Sequence, residues 1–348
     1  MQPITLFFGG NSSEYEVSLE SATSVYHSMK KQDIPVQCIG INKKGQWFYL
    51  PHPSDDFTNE RWLEQEKYPL LFDFDPHKPC CHYQQDGKDM VLPLTKALII
   101  MHGANGEDGR LQGLLELAGV TILGCGCLSS ALCMDKYRSH QMVNTIGITT
   151  AKGILVHTNA SYDLDQLTEK LTYPLFVKPN RAGSSFGISK VYNKAELPKA
   201  IDNAKVYDSD VIIEQTINGK EIGCGILECR YGKLVSSVDM IDIHDEFYDT
   251  HNKYHGSADQ IIDPAPLDKD LIVKIKSMAL DIFDILGCKG FARIDLFLCD
   301  DQTIVFNEVN TIPGFTNHSR YPSMFKSCGI NFDGLINLLC EERMDDHE

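Results

Sequence analysis

Apolar residues near the N-terminus come in short runs: ITLFF at 4–8, VQCIGI at 36–41, KALII at 96–100 and VTIL at 120–123. Each run has the length of a strand and is bounded by glycine or polar residues. Between them the period changes to that of a helix, from Val17 onward and again in LQGLLELAG. Strands alternating with helices predict a parallel sheet with helices on both faces. Residues 51–93 are rich in Pro, Asp and His; they predict an irregular insertion or a variable lobe and carry no functional signal.

From about residue 126 the texture changes. SSALCMDKYRSHQMVNTIG predicts one helix, and YPLFVKP, GISKV and DVIIEQTI predict strands separated by Gly-rich or polar turns. The expectation is a second, mostly antiparallel domain over 126–219 with a mobile loop. A third, over 220–348, is expected from the strands EIGCGIL, FARIDLFLC and TIVFNEV and the helix LIVKIKSMALDIFDILG. The first domain is then 1–125.

Composition narrows the class. A chain of 348 residues is too long for one ordinary core, and 43% hydrophobic with 23% charged residues is usual for a globular protein. No apolar run reaches membrane-spanning length, and MQPITLFFGG lacks a basic n-region, so a soluble cytoplasmic protein is expected. The net charge of −16 argues against nucleic-acid and membrane partners but leaves anionic small ligands open. Twelve cysteines fit a reducing compartment. Cys125, Cys127 and Cys133 are close and Cys80 and Cys81 adjacent, yet no paired C-x-x-C sets occur, so no thiol-bound metal is expected.

The chemistry concentrates in one hairpin. Strand side chains alternate faces, so Arg293 and Asp295 share a face in FARIDLFLC. In TIVFNEVN, strict alternation places Glu308 and Asn310 with Ile304 and Phe306. CDDQT suits the connecting loop, which lets the two polar faces lie side by side. Two carboxylates and an amide oxygen would then converge beside an arginine. A hard divalent cation relieves their repulsion, and oxygen-only ligands favour magnesium shared with substrate phosphates. The competing reading is a solvated sheet face with one ion pair.

Phosphate-binding features are individually weaker. Lys178 precedes the turn AGSSFG, whose backbone N–H groups can close over phosphates, though the P-loop spacing is missing and a plain hairpin fits too. Glu214 ends an apolar strand, where it can meet an adenine amino group or a ribose, or stand as a surface acid. Lys136 and Lys253 are surface lysines by default. In MHGANGEDGRLQG the glycines permit close ligand approach, and His102 can orient a ligand or cap the strand.

Together, FFGGNSSEYEVSLESA, HGANGEDGRLQG, SSALCMDK, VKPNRAGSSFGISKV, EQTINGKE, NKY, ARIDLF and NEVNTIPGFT resemble, in order and spacing, the D-alanine–D-alanine ligase family of ATP-grasp enzymes. The resemblance covers nearly the whole chain. It implies an α/β, three-domain ATP-grasp fold with a Rossmann-like N-terminal domain built on a parallel sheet. It implies Lys136 and Lys178 on ATP phosphates, with Glu214, Gln215, Ile217 and Glu221 around the adenosine. A lid of residues about 244–262 would bring Lys253 to the γ-phosphate. Asp295, Glu308 and Asn310 would hold two Mg2+ ions, or Mn2+. Glu14 would bind the ammonium of the first D-alanine, linked through Ser184 to Tyr254, and Arg293 with the Gly314 backbone would stabilise the oxyanion. His102, Asp239, Tyr248, Ser319 and Arg320 would lie near the substrates. Family members are commonly homodimers. Another ATP-grasp ligase, or a nucleotide-binding module without turnover, are the competing readings.

For the acceptor, HSRYP with Arg320 resembles the vancomycin-resistance ligases, and the Lys253-Tyr254 pair differs from the D-lactate type. CLSSALCMDK, AGSSFGISKV and Asp239 resemble the D-serine subgroup, whereas Tyr248 in Phe247-Tyr248-Asp249 resembles ordinary D-alanine ligases. D-serine is the expected acceptor, with D-alanine as the alternative, for a dipeptide used in peptidoglycan precursors.

Overall fold

In a computed structural model describing residues 2–159, 161–183, 186–242 and 260–341, the first apolar run is strand β1 (Ile4–Gly9), buried throughout. It is followed by β2 (Val36–Ile41), β3 (Trp47–Leu50), β4 (Tyr68–Pro69), β5 (Leu71–Asp73), β6 (Cys80–Gln85), β7 (Lys88–Pro93), β8 (Lys96–Ile100) and β9 (Thr121–Ile122). One sheet has the order β4-β3-β2-β1-β8-β9. β2, β1, β8 and β9 pair in parallel, but β3 and β4 add an antiparallel edge to the expected parallel sheet. The turn from β2 to β3 is too short for a crossover helix, so β3 must reverse. Helix α1 (Tyr15–Lys31) covers the sheet with Leu19, Ala22, Val25 and Met29. The chain enters α1 through Gly9, at φ 85°, where a Cβ would lie 2.2 Å from the Ile41 carbonyl oxygen. That turn delivers Glu14 to the first residue of the helix entry.

Residues 51–93 are not an irregular insertion. β5, β6 and β7 form an antiparallel sheet, and the segment before them buries Phe57 and Trp62 against Phe8, with the Phe8 and Phe57 rings stacked at 4.4 Å. The predicted single helix after residue 126 is also two. α2 (Arg110–Leu117) comes first; α3 (Cys127–Met134) and α4 (Lys136–Asn144) then meet at Asp135, whose carboxylate accepts from the Arg138 N–H at 2.9 Å and caps α4. The break places Lys136 at the first helical position, facing out of the junction.

β10 (Gly153–His157), α5 (Leu164–Thr168), β11 (Leu175–Pro179), β12 (Ser189–Val191), α6 (Leu197–Ala204) and β13 (Asp210–Gln215) follow. Their strands make an antiparallel sheet in the order β10-β13-β11-β12. β14 (Gly219–Cys229), β15 (Gly232–Asp242), β16 (Gln260–Ile262), β17 (Phe291–Cys299) and β18 (Ile304–Asn310) form a further antiparallel sheet, ordered β16-β15-β14-β17-β18. β15 is a strand that the apolar pattern missed. α7 (Lys269–Ile285) packs Ile275, Ala279, Ile282 and Phe283 against one face of this sheet. α8 (Arg320–Ser327) and α9 (Phe332–Cys340) lie on the side of Tyr321, Phe325 and Leu335, which pack with Phe291.

Strict alternation fails in β18, and the failure positions the chemistry. Leu296 pairs with Phe306 but Asp295 pairs with Glu308, so Asn307 is an extra residue, a β-bulge. Ile304, Phe306 and Val309 all join the α7 core. Glu308 and Asn310 therefore face the opposite side, away from Ile304 and Phe306, which corrects the strict-alternation assignment. The bulged backbone is not left unpaired: His140 on α4 donates from Nε2 to the Asn307 carbonyl at 2.7 Å. His140→Ala removes that donor and is expected to lower stability by about 1–3 kcal/mol in urea titration. Exposed Gln141→Ala on the same helix should stay within about 0.5 kcal/mol.

Candidate active site

Across the five-stranded sheet, register brings Asp239, Gly223, Asp295 and Glu308 into one row on β15, β14, β17 and β18. Arg293 and Asn310 pair in a neighbouring row. Asp295 takes both Nε and Nη2 of Arg293, at 2.8 and 2.7 Å, and the Asn310 amide at 2.9 Å. Gly223 leaves a gap in the row, and the Arg320 guanidinium fills it: a Cβ there would sit 2.6 Å from Nη2. Arg320 donates from Nε and Nη2 to Asp239 at 2.9 and 2.8 Å and from Nη1 to Glu221 at 2.8 Å. Asp239 and Asp295 are 0% and 2% exposed, so this face is no solvated surface with a single pair. Burial alone would make both guanidiniums easier to deprotonate. The facing carboxylates outweigh it and hold both above the ordinary arginine range.

Two lysines flank the row, Lys136 from the start of α4 and Lys178 from β11. Lys136 donates to the Ala182 carbonyl at 2.9 Å and lies 3.3 Å from Glu308 Oε2, spanning the Gly-rich turn and the hairpin. Lys178 on β11 pairs with Glu214 Oε2 at 2.7 Å. Burial opposes both charges, yet Lys178 and His140 keep Glu214 below its ordinary range, while Glu214 keeps Lys178 above its own. Glu214 Oε1 is buried without a hydrogen bond, and His140 Nδ1 lies 3.4 Å from it. A buried acceptor in this state fits a ligand amino group, such as that of adenine. Asp295, Glu308 and Asn310 supply only oxygen donors on one face, which fits magnesium. Gln215 continues β13 and donates its N–H to the Lys152 carbonyl at 2.9 Å, and Ile217 follows in a half-buried loop.

The far end belongs to the N-terminal loops. Glu14 sits between two glycines: Cβ atoms on Gly103 and Gly183 would lie 2.4 and 3.0 Å from its Oε2. His102 Nδ1 donates to the Ile312 carbonyl at 2.9 Å, so the neutral ring accepts from Ser21 at 3.1 Å through Nε2. Ser21 in turn accepts from the Phe315 N–H at 3.2 Å. Burial keeps this histidine below its ordinary range, consistent with a neutral ring. Ser319 Oγ accepts from the Thr316 N–H at 3.1 Å, folding the loop that exposes Gly314. A cavity of about 410 Å3 is lined by Glu14, Glu107, Lys136, Arg293, Glu308 and Arg320, among others, with His102, Gly314 and Ser319 also at its wall. Ser184, Tyr248, Lys253 and Tyr254, and most of the predicted lid, lie outside the described residues.

Residues 3–125 match the family described as D-ala D-ala ligase N-terminus, and residues 142–341 match D-ala D-ala ligase C-terminus. The chain belongs to the D-alanine–D-alanine ligase family. It is 38% identical to the vancomycin C-type resistance protein VanC1 of Enterococcus gallinarum, over 97% of each chain. It is 37% identical to a D-alanine–D-alanine ligase of Caldicellulosiruptor bescii, over 97% of this chain and 93% of that one. The crystal structure of the VanG D-Ala:D-Ser ligase from Enterococcus faecalis superposes with a TM-score of 0.89 at 40% identity, covering 97% of this chain and 98% of the other. The architecture is accordingly the ATP-grasp fold of this ligase family.

Within this ligase-family site, sequence reasoning missed Glu107, His140, Ser21 and Gly223. Glu107 lies in the HGANGEDG segment, but nothing in the string tells a buried acid from an exposed one. Its two oxygens accept from the Gly103 N–H at 2.7 Å and the Ile312 N–H at 3.1 Å, tying the N-terminal loop to the one that carries Gly314. Burial first, then the Glu14 carboxylate, push its carboxyl from an ordinary 4.5 up to about 8, against the pull of those N–H groups. The folded chain therefore keeps a proton that the unfolded chain releases. The resulting stabilisation is complete below pH 4.5 and is lost as pH rises through about 8. Urea titrations from pH 5 to 8 should show wild type losing stability relative to Glu107→Gln as pH increases; a flat difference would contradict the assignment.

Proposed function

We propose that this chain is an ATP-dependent ligase joining D-alanine to a second D-amino acid, with D-serine favoured over D-alanine, through a D-alanyl phosphate. The observation carrying the acceptor choice is Arg320. A guanidinium has five N–H donors, and Asp239 and Glu221 engage Nε, Nη1 and Nη2 once each, leaving two for an acceptor oxygen. A D-serine hydroxyl supplies such an oxygen, whereas the methyl of D-alanine leaves the donors unpaired. The likeness to the VanG D-Ala:D-Ser ligase supports the same reading. Tyr248 in Phe247-Tyr248-Asp249 favours the second reading, a housekeeping ligase with D-alanine as acceptor.

The order of steps follows from the chemistry. Glu14, held between its two glycines, would take the ammonium of the first D-alanine. Lys136 and Lys178 would lie along the phosphates of ATP, with adenine toward Glu214. Asp295, Glu308 and Asn310 would hold magnesium, which when bound neutralises charge on the transferring phosphoryl group. The D-alanine carboxylate takes the γ-phosphoryl group and ADP leaves. The acceptor amine then attacks the acyl carbon and loses a proton, and inorganic phosphate departs with the former carboxylate oxygen. Asp295 occupies Nε and Nη2 of Arg293, so Nη1 and the Gly314 N–H are the donors for the tetrahedral oxyanion.

An equimolar competition between D-serine and D-alanine as acceptors tests the reading. D-alanyl-D-serine is expected as the main dipeptide, with ADP released only when D-alanine, magnesium and acceptor are all present. D-alanyl-D-alanine as sole product would overturn the acceptor choice. Arg320→Met should shift the product ratio toward D-alanyl-D-alanine by on the order of tenfold or more.

A further inference from the structure

Outside the catalytic cavity, the antiparallel pair β5–β6 brings three metal-ligand atoms together. Asp73 is the cross-strand partner of Cys80, and His82 lies two residues along, on the same face of β6. Their contacts share three atoms: Cys80 Sγ is 3.7 Å from His82 Nε2 and 3.9 Å from Asp73 Oδ2, and His82 Nε2 is 3.2 Å from Asp73 Oδ2. Zinc–ligand bonds of about 2.3 Å to sulfur and about 2.0–2.2 Å to nitrogen and oxygen define what a tetrahedral ion requires. They set sulfur–nitrogen and sulfur–oxygen edges of about 3.6 Å and a nitrogen–oxygen edge of about 3.4 Å. The observed triangle matches each edge to within about 0.3 Å, before any ion draws the ligands in.

We propose that Asp73, Cys80 and His82 bind a zinc-class divalent cation, as one face of a tetrahedral site separate from the ligase centre. The thiolate and imidazole select a borderline-soft ion, while a hard ion such as magnesium prefers the oxygen-only set of Asp295, Glu308 and Asn310. The three ligands line a cavity of about 440 Å3 that shares no residue with the catalytic one; Asp75 lines the same cavity, and water can take the fourth position. Burial, then the Asp73 and Asp75 carboxylates, raise the Cys80 thiol above its ordinary range. The same negative field attracts a cation, and binding releases the thiol proton to solvent. Absence of paired C-x-x-C sets hid this arrangement, because its ligands come from an i, i+2 pair and a cross-strand acid. A bound ion would tie β5, three residues long with Leu71 exposed, to β6.

The test is a Co(II) titration of the full-length protein under a non-thiol reductant, with saturating magnesium to fill the oxygen-only site. A tetrahedral visible spectrum with a thiolate-to-cobalt charge-transfer band is expected, saturating at one ion per chain and displaced by Zn(II). Cys80→Ser should abolish the charge-transfer band, and His82→Gln should weaken binding at least tenfold. Ligase activity with magnesium should be unchanged in both variants, which shows that they fold. A charge-transfer band that persists in Cys80→Ser, unchanged affinity in His82→Gln, or a purely octahedral spectrum would overturn the proposal.

Discussion

The catalytic face depends on one extra backbone residue. β18 must give Ile304, Phe306 and Val309 to the α7 core and also turn Glu308 and Asn310 toward Asp295 and Arg293. A strand of period two cannot do both, because residues 306 and 308 would share a face. The bulge at Asn307 inverts the parity between them, and the strand is then apolar on one side and ligand-bearing on the other. A bulge leaves backbone groups outside the ladder, and a buried carbonyl without a donor is unfavourable. His140 satisfies it from α4. α4 begins where it does because Asp135 breaks and recaps the helix, and the same break sets Lys136 beside Glu308. One helix junction thus fixes both the geometry of the bulge and the position of Lys136 beside Glu308.

Concentrating carboxylates on a buried face is costly unless each is compensated. Here the compensation is built from neighbours in register. Asp295 shares Arg293 and stands 3.9 Å from Arg320, Asp239 takes Arg320 with two bonds, and Glu308 meets Lys136. Gly223 makes this possible, since any side chain in the middle of the row would exclude the guanidinium. Arg320 therefore neutralises the row and also lines the cavity. A neutral, apolar residue at 320 would leave Asp239 buried without its partner, so a change at this position also acts on local stability.

Much of this was legible in the residues. The hairpin of Arg293, Asp295, Glu308 and Asn310 could be derived from alternation and a suitable loop, and its members do converge. The face assigned to Ile304 and Phe306 was wrong, because a bulge has no sequence signature strong enough to override strict alternation. The single helix after residue 126 failed for a related reason: an internal aspartate reads as a solvated helical residue until its capping bond is seen. Residues 51–93 were misread because their Pro, Asp and His content outweighs a few apolar anchors, yet Phe57, Trp62, Cys81 and Leu92 seat the segment in the N-terminal core. β15 was missed because KLVSSVDMID lacks clean alternation, its Ser236 and Asp239 being buried polar residues.

Three of the residues that escaped detection share a property. His140 donates to the Asn307 carbonyl, Glu107 accepts from the Ile312 and Gly103 N–H groups, and Ser21 accepts from the Phe315 N–H. Each ties a side chain from one part of the chain to the backbone of another. A backbone partner has no residue identity, so no pairing of types along the sequence can reveal such a contact. The cavity is assembled by these contacts as much as by the sheets, since the loop holding Gly314 is gripped at 312 and 315 from the N-terminal side. Ion pairs between side chains were predictable in kind because both partners declare themselves. The positioning of the loops was not, because only one partner does.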